Sequence, residues 1–445
     1  MNYSFLSKAI DSAVVFKQFG TLLSINGPVI EATGCKVQHG ELVKIVQPSS
    51  GNSIFAEVIG LREHKILLMP YNGIDGLCLE SIVEPLGDFF SVPVGHKLLG
   101  RVIDPLGNAL DDKGDIDVSQ RRSSHGSSIN PLNRKPITEM LSTGIKAIDI
   151  FTPIGKGQRV GIFAGSGVGK STLLGMIAKF SVAEVIVIAL IGERGREVGD
   201  FIRDNLGDEG LRKTVLVVAT AAEPAVLRRQ AAYTATAIAE WFRSEGQDVL
   251  LIMDSITRFA MAQREIGLAA GEPLGARGYP PSALSLLPPL VERAGNIYEQ
   301  GSLSAVYTVL VEGDDFNEPI SDHMRSVLDG HIILDRAIAA RGQYPAIDIL
   351  NSISRLAKFI SDKDEISDAA FLRTLISNYQ EAKDLIDLGL HKEGHNKVTD
   401  LAVKMKQSID QLLQQTEYTI CDRKELRKLV IEIIKKAKEF ESANK

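Results

Sequence analysis

The chain predicts a multidomain protein in three parts: a small all-β N-terminal domain, a central α/β domain on a mostly parallel sheet, and a helical C-terminal domain. Three observations carry that prediction. Short β-type runs follow one another closely up to about residue 95. From 96 to 365, continuous Val/Ile/Leu runs alternate with helical segments. No proline occurs after Pro345, and apolar residues beyond it recur at helical spacing. A length of 445 residues, at about 150 per domain, also corresponds to roughly three domains.

Taken in order, Phe5, Leu6, Ala9, Ile10 and Ala13 share one helical face, so residues 3–16 read as an amphipathic helix. A frayed terminus reads equally well, because a helix this short is marginal alone in water. Within residues 21–95, Thr21–Ile25, Leu42–Val46, Ile54–Ile59 and Ile66–Met69 are strands, punctuated by Gly27-Pro28, Pro48–Asn52 and Pro70–Gly73. That rhythm suits a small barrel or a sandwich. Arg159–Phe163, Val185–Ile191, Thr214–Ala219, Val249–Met253 and Ala305–Val311 lack polar alternation. Such strands are covered on both faces, as in a parallel sheet with helices on either side. Ala225–Arg243, rich in Ala, Leu, Gln and Arg with Pro224 at its start, is one of those helices. In residues 366–445, Leu401, Met405, Ile409 and Leu412, then Leu426, Leu429, Val430 and Ile433, mark helical faces. After position 360 only Gly389 and Gly394 stand as helix breakers.

The chemistry concentrates in the central domain. Ala164-Gly165-Ser166-Gly167-Val168-Gly169-Lys170-Ser171 follows the Arg159–Phe163 strand and opens the helical stretch Thr172–Phe180. Strand, glycine-rich loop and helix in that order form a phosphate-binding P-loop. The glycines let successive backbone N–H groups point inward at phosphate oxygens, and the helix N-terminus adds partial positive charge. Lys170 would reach the β and γ phosphates, and the Ser171 hydroxyl would ligate Mg²⁺. Ala164 replaces the usual first glycine, a minor departure. A dinucleotide fingerprint does not fit, because the third position after Gly165 and Gly167 is Lys170.

A P-loop needs carboxylates for the metal's water shell and for the attacking water. Asp254 ends the Val249–Met253 run, where a ligand of an open α/β sheet would sit; it could also serve simply as a helix cap. Glu193 follows the Val185–Ile191 strand by one glycine, inside Gly192-Glu193-Arg194-Gly195-Arg196-Glu197. Spacing alone leaves a solvated, self-paired turn as the alternative.

These segments, with Leu251–Phe259, Arg277–Ser282, Leu290–Gly295 and Tyr344–Arg355, resemble the flagellar and type III secretion ATPases, relatives of the rotary ATP synthase catalytic subunit. The resemblance runs from about residue 20 to 360 and weakens in the C-terminal helices. It implies a β-barrel over 21–95, a RecA-like P-loop NTPase domain over 96–365, a helical domain over 366–445 and a homohexameric ring. It further implies ATP and Mg²⁺ as ligands. Glu193 would polarise the attacking water and Arg194 would bear on the γ-phosphate. Gly165 through Thr172 would hold the nucleotide, with Tyr344 packed on the adenine. Asp254 would serve Mg²⁺, and Arg355 would reach the neighbouring subunit's site as an arginine finger. The partners it implies are a regulatory, stator-like protein on the N-terminal helix (residues 1–20), a central coiled-coil stalk, export-gate membrane proteins, and exported substrates with their chaperones. The Pro-rich stretch 263–289 would then face the stalk, unless it is a packing linker. Cytoplasmic residence at the inner-membrane face follows from the same likeness.

Composition narrows the field. The longest apolar run, Val185–Ile191, has seven residues, against about 20 for a membrane span. The N-terminus lacks a basic segment ahead of an apolar one, so no secretory signal is expected. Three cysteines, at 35, 78 and 421, fit neither a disulfide framework nor a zinc knuckle. Residues 1–90 carry six Lys/Arg against nine Asp/Glu, which argues against a nucleic-acid-gripping barrel and a ring helicase. Two rivals remain. A rotary synthase subunit is disfavoured because Glu193 argues against the non-catalytic type, which lacks that carboxylate, and the acidic DELSEED stretch of the catalytic type has no match in this chain. A virulence secretion ATPase is disfavoured because Val311–Pro319 looks more like flagellar members.

Overall fold

The computed structural model describes residues 18–443 apart from 49, 50, 312, 314, 389, 393 and 395. The amphipathic stretch 3–16, and Glu312 and Asp314 of the Val311–Pro319 motif, lie outside the described residues. The chain divides into two compact units. One holds residues up to Phe90 with 224–226 and 265–273; the other holds the remainder.

The first unit is a closed antiparallel barrel of β1 (Gly20–Asn26), β2 (Val29–Thr33), β3 (Leu42–Val46), β4 (Ser53–Arg62), β5 (Lys65–Pro70) and β6 (Ile82–Pro85). The strand order is β1-β2-β5-β4-β3-β6, and β6 pairs back onto β1, so the sandwich alternative falls away. Alternate residues point inward, and Ile30, Val43, Ile45, Val58, Leu68 and Val83 are fully buried. Strands β2 and β6 were not among the four runs anticipated. Each is short and half-buried, so neither forms an apolar run.

The second unit contains β7 (Ser91–Val94), β8 (Val102–Ile103), β9 (Gln120–Ser123), β10 (Met140–Leu141), β11 (Ile154–Gly155), β12 (Arg159–Ala164), β13 (Val185–Glu193), β14 (Thr214–Thr220), β15 (Val249–Asp254), β16 (Leu303–Leu310), β17 (Gly330–Leu334) and β18 (Ile347–Ser354). Eight of these form one sheet in the order β18-β17-β12-β16-β15-β13-β14-β8. All neighbours run parallel except β18, which lies antiparallel to β17 at the edge. Strand β15 is buried at every position and β13 at all but its last, which accounts for their unbroken apolar sequence. The carboxyl ends of β12, β13 and β15 therefore share one edge of the sheet, the place where open α/β sheets bind ligands.

The Pro-rich stretch forms no long helix. After the Ile256–Ala269 helix come short turns at Ala276–Gly278, Pro281–Ser285 and Leu287–Val291, the last two with proline in the first turn. Among the described residues the short Ala357–Ile360 turn and three longer helices follow the sheet: Lys363–Asp387, Lys397–Leu413 and Arg423–Ala443. The Lys363–Asp387 helix starts from a capping box between Asp362 and Glu365. Leu401, Met405, Ile409, Leu412, Leu426, Val430 and Ile433 are buried, as their spacing predicts.

The break at 414–422 corrects the expectation that only glycines interrupt this region. It contains neither glycine nor proline. Its cause is the buried Gln415 side chain, whose Oε1 accepts from Lys146 N at 2.9 Å. Its Nε2 donates to Gly144 O and Thr419 O, both at 2.7 Å. Gln415 N also donates to Tyr344 O at 2.9 Å. Tertiary hydrogen bonds to one amide here outweigh the helical ones. No helix among the described residues is long and apolar enough to cross a membrane.

Candidate active site

Strand β12 ends at Ala164, which is buried, and whose carbonyl accepts from Val311 N at 3.0 Å. Alanine at this first motif position is thus accommodated within the strand. The chain then turns through Gly165–Gly169 into the Lys170–Phe180 helix. Gly167 and Gly169 adopt φ of 78° and 87°, the left-handed region that favours glycine. Val168 is buried and pins the loop to the core, while Ser166, Gly167 and Ser171 are exposed. No side chain caps this helix, so its first N–H groups face outward with the loop.

Lys170 Nζ is ion-paired with Asp254 Oδ1 and lies 3.9 Å from Glu193 Oε1. The three residues come from β13, β15 and the start of the helix after β12, so parallel topology alone gathers them. Asp254 is 3% exposed and accepts a hydrogen bond from Thr308 Oγ1 at 2.7 Å. Glu193 has its pKa pushed up to about 7, first by burial and then by the charge on Asp254, with Lys170 and Arg258 pulling the other way. A hydrogen bond to Glu197 also keeps the proton on Glu193 and holds Glu197 below the usual carboxylate range. A carboxylate titrating near neutrality is matched to accepting a proton from water.

Three members of this cluster were not anticipated. Arg258 lies against Gly192, where an added Cβ would be 3.3 Å from its Cδ, and its charge favours ionisation of Glu193 and Glu197. Its position four residues after Asp254, in the first turn of the following helix, was the available signal. Thr308, in the middle of a buried strand, and Glu197 gave no such signal.

Tyr344 stands beside the loop: an added Cβ on Gly169 would be 3.3 Å from its ring. Tyr344 is 44% exposed. Arg194 is not drawn into the cluster; its side chain is 83% exposed and meets Glu197 at 3.2 Å. Arg355 lies at the other end of the sheet altogether. Strand β18 runs antiparallel from Ile347, paired with Leu334 at the P-loop end, to Ser354, paired with Gly330. Arg355 is exposed, and its Nη2 donates to Arg325 O at 3.1 Å.

Among the described residues no group of three or more His, Cys, Asp or Glu could by itself hold a metal. The exposed Ser171 hydroxyl and the Asp254 carboxylate nonetheless suit a small hard cation, which binds through few protein oxygens and completes its shell with water and phosphate.

Three family descriptions match successive parts of the chain: the ATP synthase alpha/beta family β-barrel domain over 22–87, its nucleotide-binding domain over 144–354, and the T3SS EscN ATPase C-terminal domain over 361–429. The flagellum-specific ATP synthase of Bacillus subtilis is 49% identical over 411 residues, covering 92% of this chain and 94% of that protein. The type 3 secretion system ATPase of Sinorhizobium fredii is 44% identical, covering 94% and 92%. The assembled ATPase EscN of enteropathogenic E. coli superposes with a TM-score of 0.86 at 41% identity, over 93% of this chain and all of that one; the same values hold for EscN in complex with its central stalk EscO. With a P-loop and carboxylates so arranged, and with likeness of this degree over nine-tenths of its length, the chain belongs to the flagellar and type III secretion ATPases of the ATP synthase alpha/beta family.

Proposed function

We propose that this ATPase is the motor subunit of a flagellar protein-export apparatus, acting as a homohexamer whose active sites are each shared by two subunits. The observation that carries the shared site is strand β18. It leads from Tyr344, beside the P-loop, to Arg355 at the far end of the sheet. An arginine so placed serves a neighbour's nucleotide rather than its own.

In this reading the loop amides from Gly165 to Ser171 receive the triphosphate, with Thr172 in the same first turn. Lys170 leaves Asp254 for the β and γ oxygens, and the Tyr344 ring covers the base. Glu193 takes a proton from water as its oxygen bonds to the γ-phosphorus and the bond to the β-phosphate oxygen breaks, giving ADP and phosphate. Arg194 turns from Glu197 toward the γ-phosphate. Ser171 and Asp254 would hold Mg²⁺, which would supply positive charge to the phosphate oxygens. Arg355 of the adjacent copy stabilises transition-state charge, an effect worth roughly 10³–10⁵ in rate when supplied in trans.

EscN's capture with a central stalk supports a stalk contact for the 263–289 turns of this chain. The stator-like partner, export gate, chaperoned substrates and inner-membrane address belong to the same reading. Flagellar rather than virulence duty is favoured by the flagellar names of relatives at 45–49% identity.

The test is a mixed ring. Arg355→Ala and Glu193→Gln subunits, each inactive alone, should recover ATPase activity when combined, because some interfaces pair an intact Glu193 with an intact Arg355. Absence of recovery removes the shared site. Deleting the coding sequence in its host should abolish swimming; unimpaired swimming would remove the flagellar assignment.

A further inference from the structure

We infer that Asp329, with Gln158 and Arg159, is a positioning element for Arg355, so that the strand ending in one subunit's P-loop also sets the arginine offered to the next. This rests on the reading of Arg355 as acting in trans. Strand β12 has two functional ends. Its carboxyl end opens into Gly165–Lys170, and its amino end, roughly 17 Å away at about 3.3 Å per residue, is Arg159.

At that amino end Arg159 and Asp329 are joined four times. Arg159 Nε and Nη2 donate to Oδ2 and Oδ1 of Asp329, each at 2.9 Å. Arg159 N donates to Oδ2 at 3.1 Å, and Asp329 N returns a bond to Arg159 O at 2.9 Å. The backbone that projects Arg355 hangs from this clamp: Arg355 N donates to Asp329 O at 3.0 Å. Fully buried Gln158 closes it. Its Nε2 donates to both Asp329 O and Ser354 Oγ at 3.2 Å, and its Oε1 accepts from Gly155 N at 2.7 Å. Ser354 Oγ in turn donates to Pro153 O at 2.7 Å.

The contrast within Arg355 itself is the second observation. Its main-chain N–H is held by Asp329 O and the preceding Ser354 by Gln158, while its guanidinium is exposed and donates a single hydrogen bond among the described residues, to the Arg325 carbonyl. Rigid root and free tip describe a side chain that works on something beyond its own subunit. A misplacement near 1 Å of such a group costs about 10²-fold in rate, so the clamp has a catalytic reason to be rigid. Gly330, next to Asp329, allows the close approach: an added Cβ would come within 2.6 Å of Ile353 O.

Asp329→Asn removes one of the two carboxylate charges that grip Arg159, leaving Glu292, and keeps the backbone bonds. The expected result is a fall in kcat of about 10- to 100-fold with KM for ATP and binding of a fluorescent ATP analogue unchanged. Ser354→Ala, which leaves the ion pair intact, should give a several-fold fall of the same kind and covers the case in which Asp329→Asn folds poorly. Mixed rings decide the route. Asp329→Asn subunits combined with Glu193→Gln subunits should regain activity as Arg355→Ala subunits do, and adding Asp329→Asn to Arg355→Ala should cause no further loss. If Arg355→Ala regains activity but neither clamp variant does, or if the losses multiply, the clamp serves its own P-loop and the inference is wrong. If Arg355→Ala itself regains nothing, the shared site fails and takes the inference with it.

Discussion

The two ends of the central sheet treat their charged groups in opposite ways. At the amino end, Arg293 sits beneath the surface and is met by both oxygens of Glu240 at 2.8 Å. Arg159 has burial working against its charge, yet Asp329 and Glu292 raise its pKa. Even here cations are crowded: burial lowers the pKa of Arg243 to about 10, with Arg122, Arg134 and Arg293 adding to the effect and Glu240 opposing it. At the carboxyl end Glu193 and Asp254 face each other with Lys170 between them, and the proton balance of Glu193 is left near neutrality. Matched pairs give a stable anchor. In the proposed mechanism, unmatched carboxylates sacrifice stability for a group able to change its protonation during reaction.

The sharpest way to break this contrast is at the carboxyl end. Lys170→Ala should abolish hydrolysis, by at least the ~10²–10³ that one preorganised donor supplies; near-normal turnover would show that the cluster is not the reacting centre. Glu193→Gln should lower kcat about 10²–10⁴-fold, the range of a positioned general base, with nucleotide binding measured by fluorescence largely intact.

The amino end should answer differently. Glu240→Ala leaves the buried Arg293 without its partner, and such losses run to about 3–5 kcal/mol. Thermal unfolding should therefore show a large fall in Tm, while the folded fraction keeps its kcat.

The pH dependence sharpens the same point. For the free enzyme, kcat/KM should rise with pH through about 7 as Glu193 loses its proton. Stability should move the other way. Because the folded pKa lies above the unfolded value near 4.5, the folded state holds the extra proton between those values, and stability falls as pH rises across them. Glu193→Gln removes this slope, so its gain in Tm over the parent should be greater at pH 8 than at pH 5. Equal gains would mean that Glu193 is not held in its raised state. The smallest effect belongs to Gln415→Ala, which leaves Lys146 N without its acceptor and should cost about 1–3 kcal/mol, with KM for ATP rising a few-fold through Tyr344.

What could be read beforehand follows the range of the interactions. Gly165–Ser171, Glu193 and Asp254 were legible because loop, strand end and helix start are local patterns. Tyr344 and Arg355 were legible by resemblance, since a tyrosine before proline and a single arginine carry no pattern of their own. Glu197 lies one helical turn from Glu193 and was hidden among the other charges of that segment, whereas Thr308 and Arg258 meet Asp254 and Gly192–Glu193 only through elements far apart in sequence. The same reason hid the break at 414–422, which one buried amide makes. Strands β2 and β6 escaped because short, half-buried strands of a small closed barrel need little continuous apolar sequence.

Strand β18 also acts as a measuring rod. Its pleat repeats every two residues, so inserting two residues between Tyr344 and Arg355 would preserve which face each side chain occupies and change only the distance between the two residues, which in the proposed ring is the distance from one nucleotide to the next subunit's cation. Members of such a ring that differ in this length would be mutually incompatible, even with every reacting group conserved.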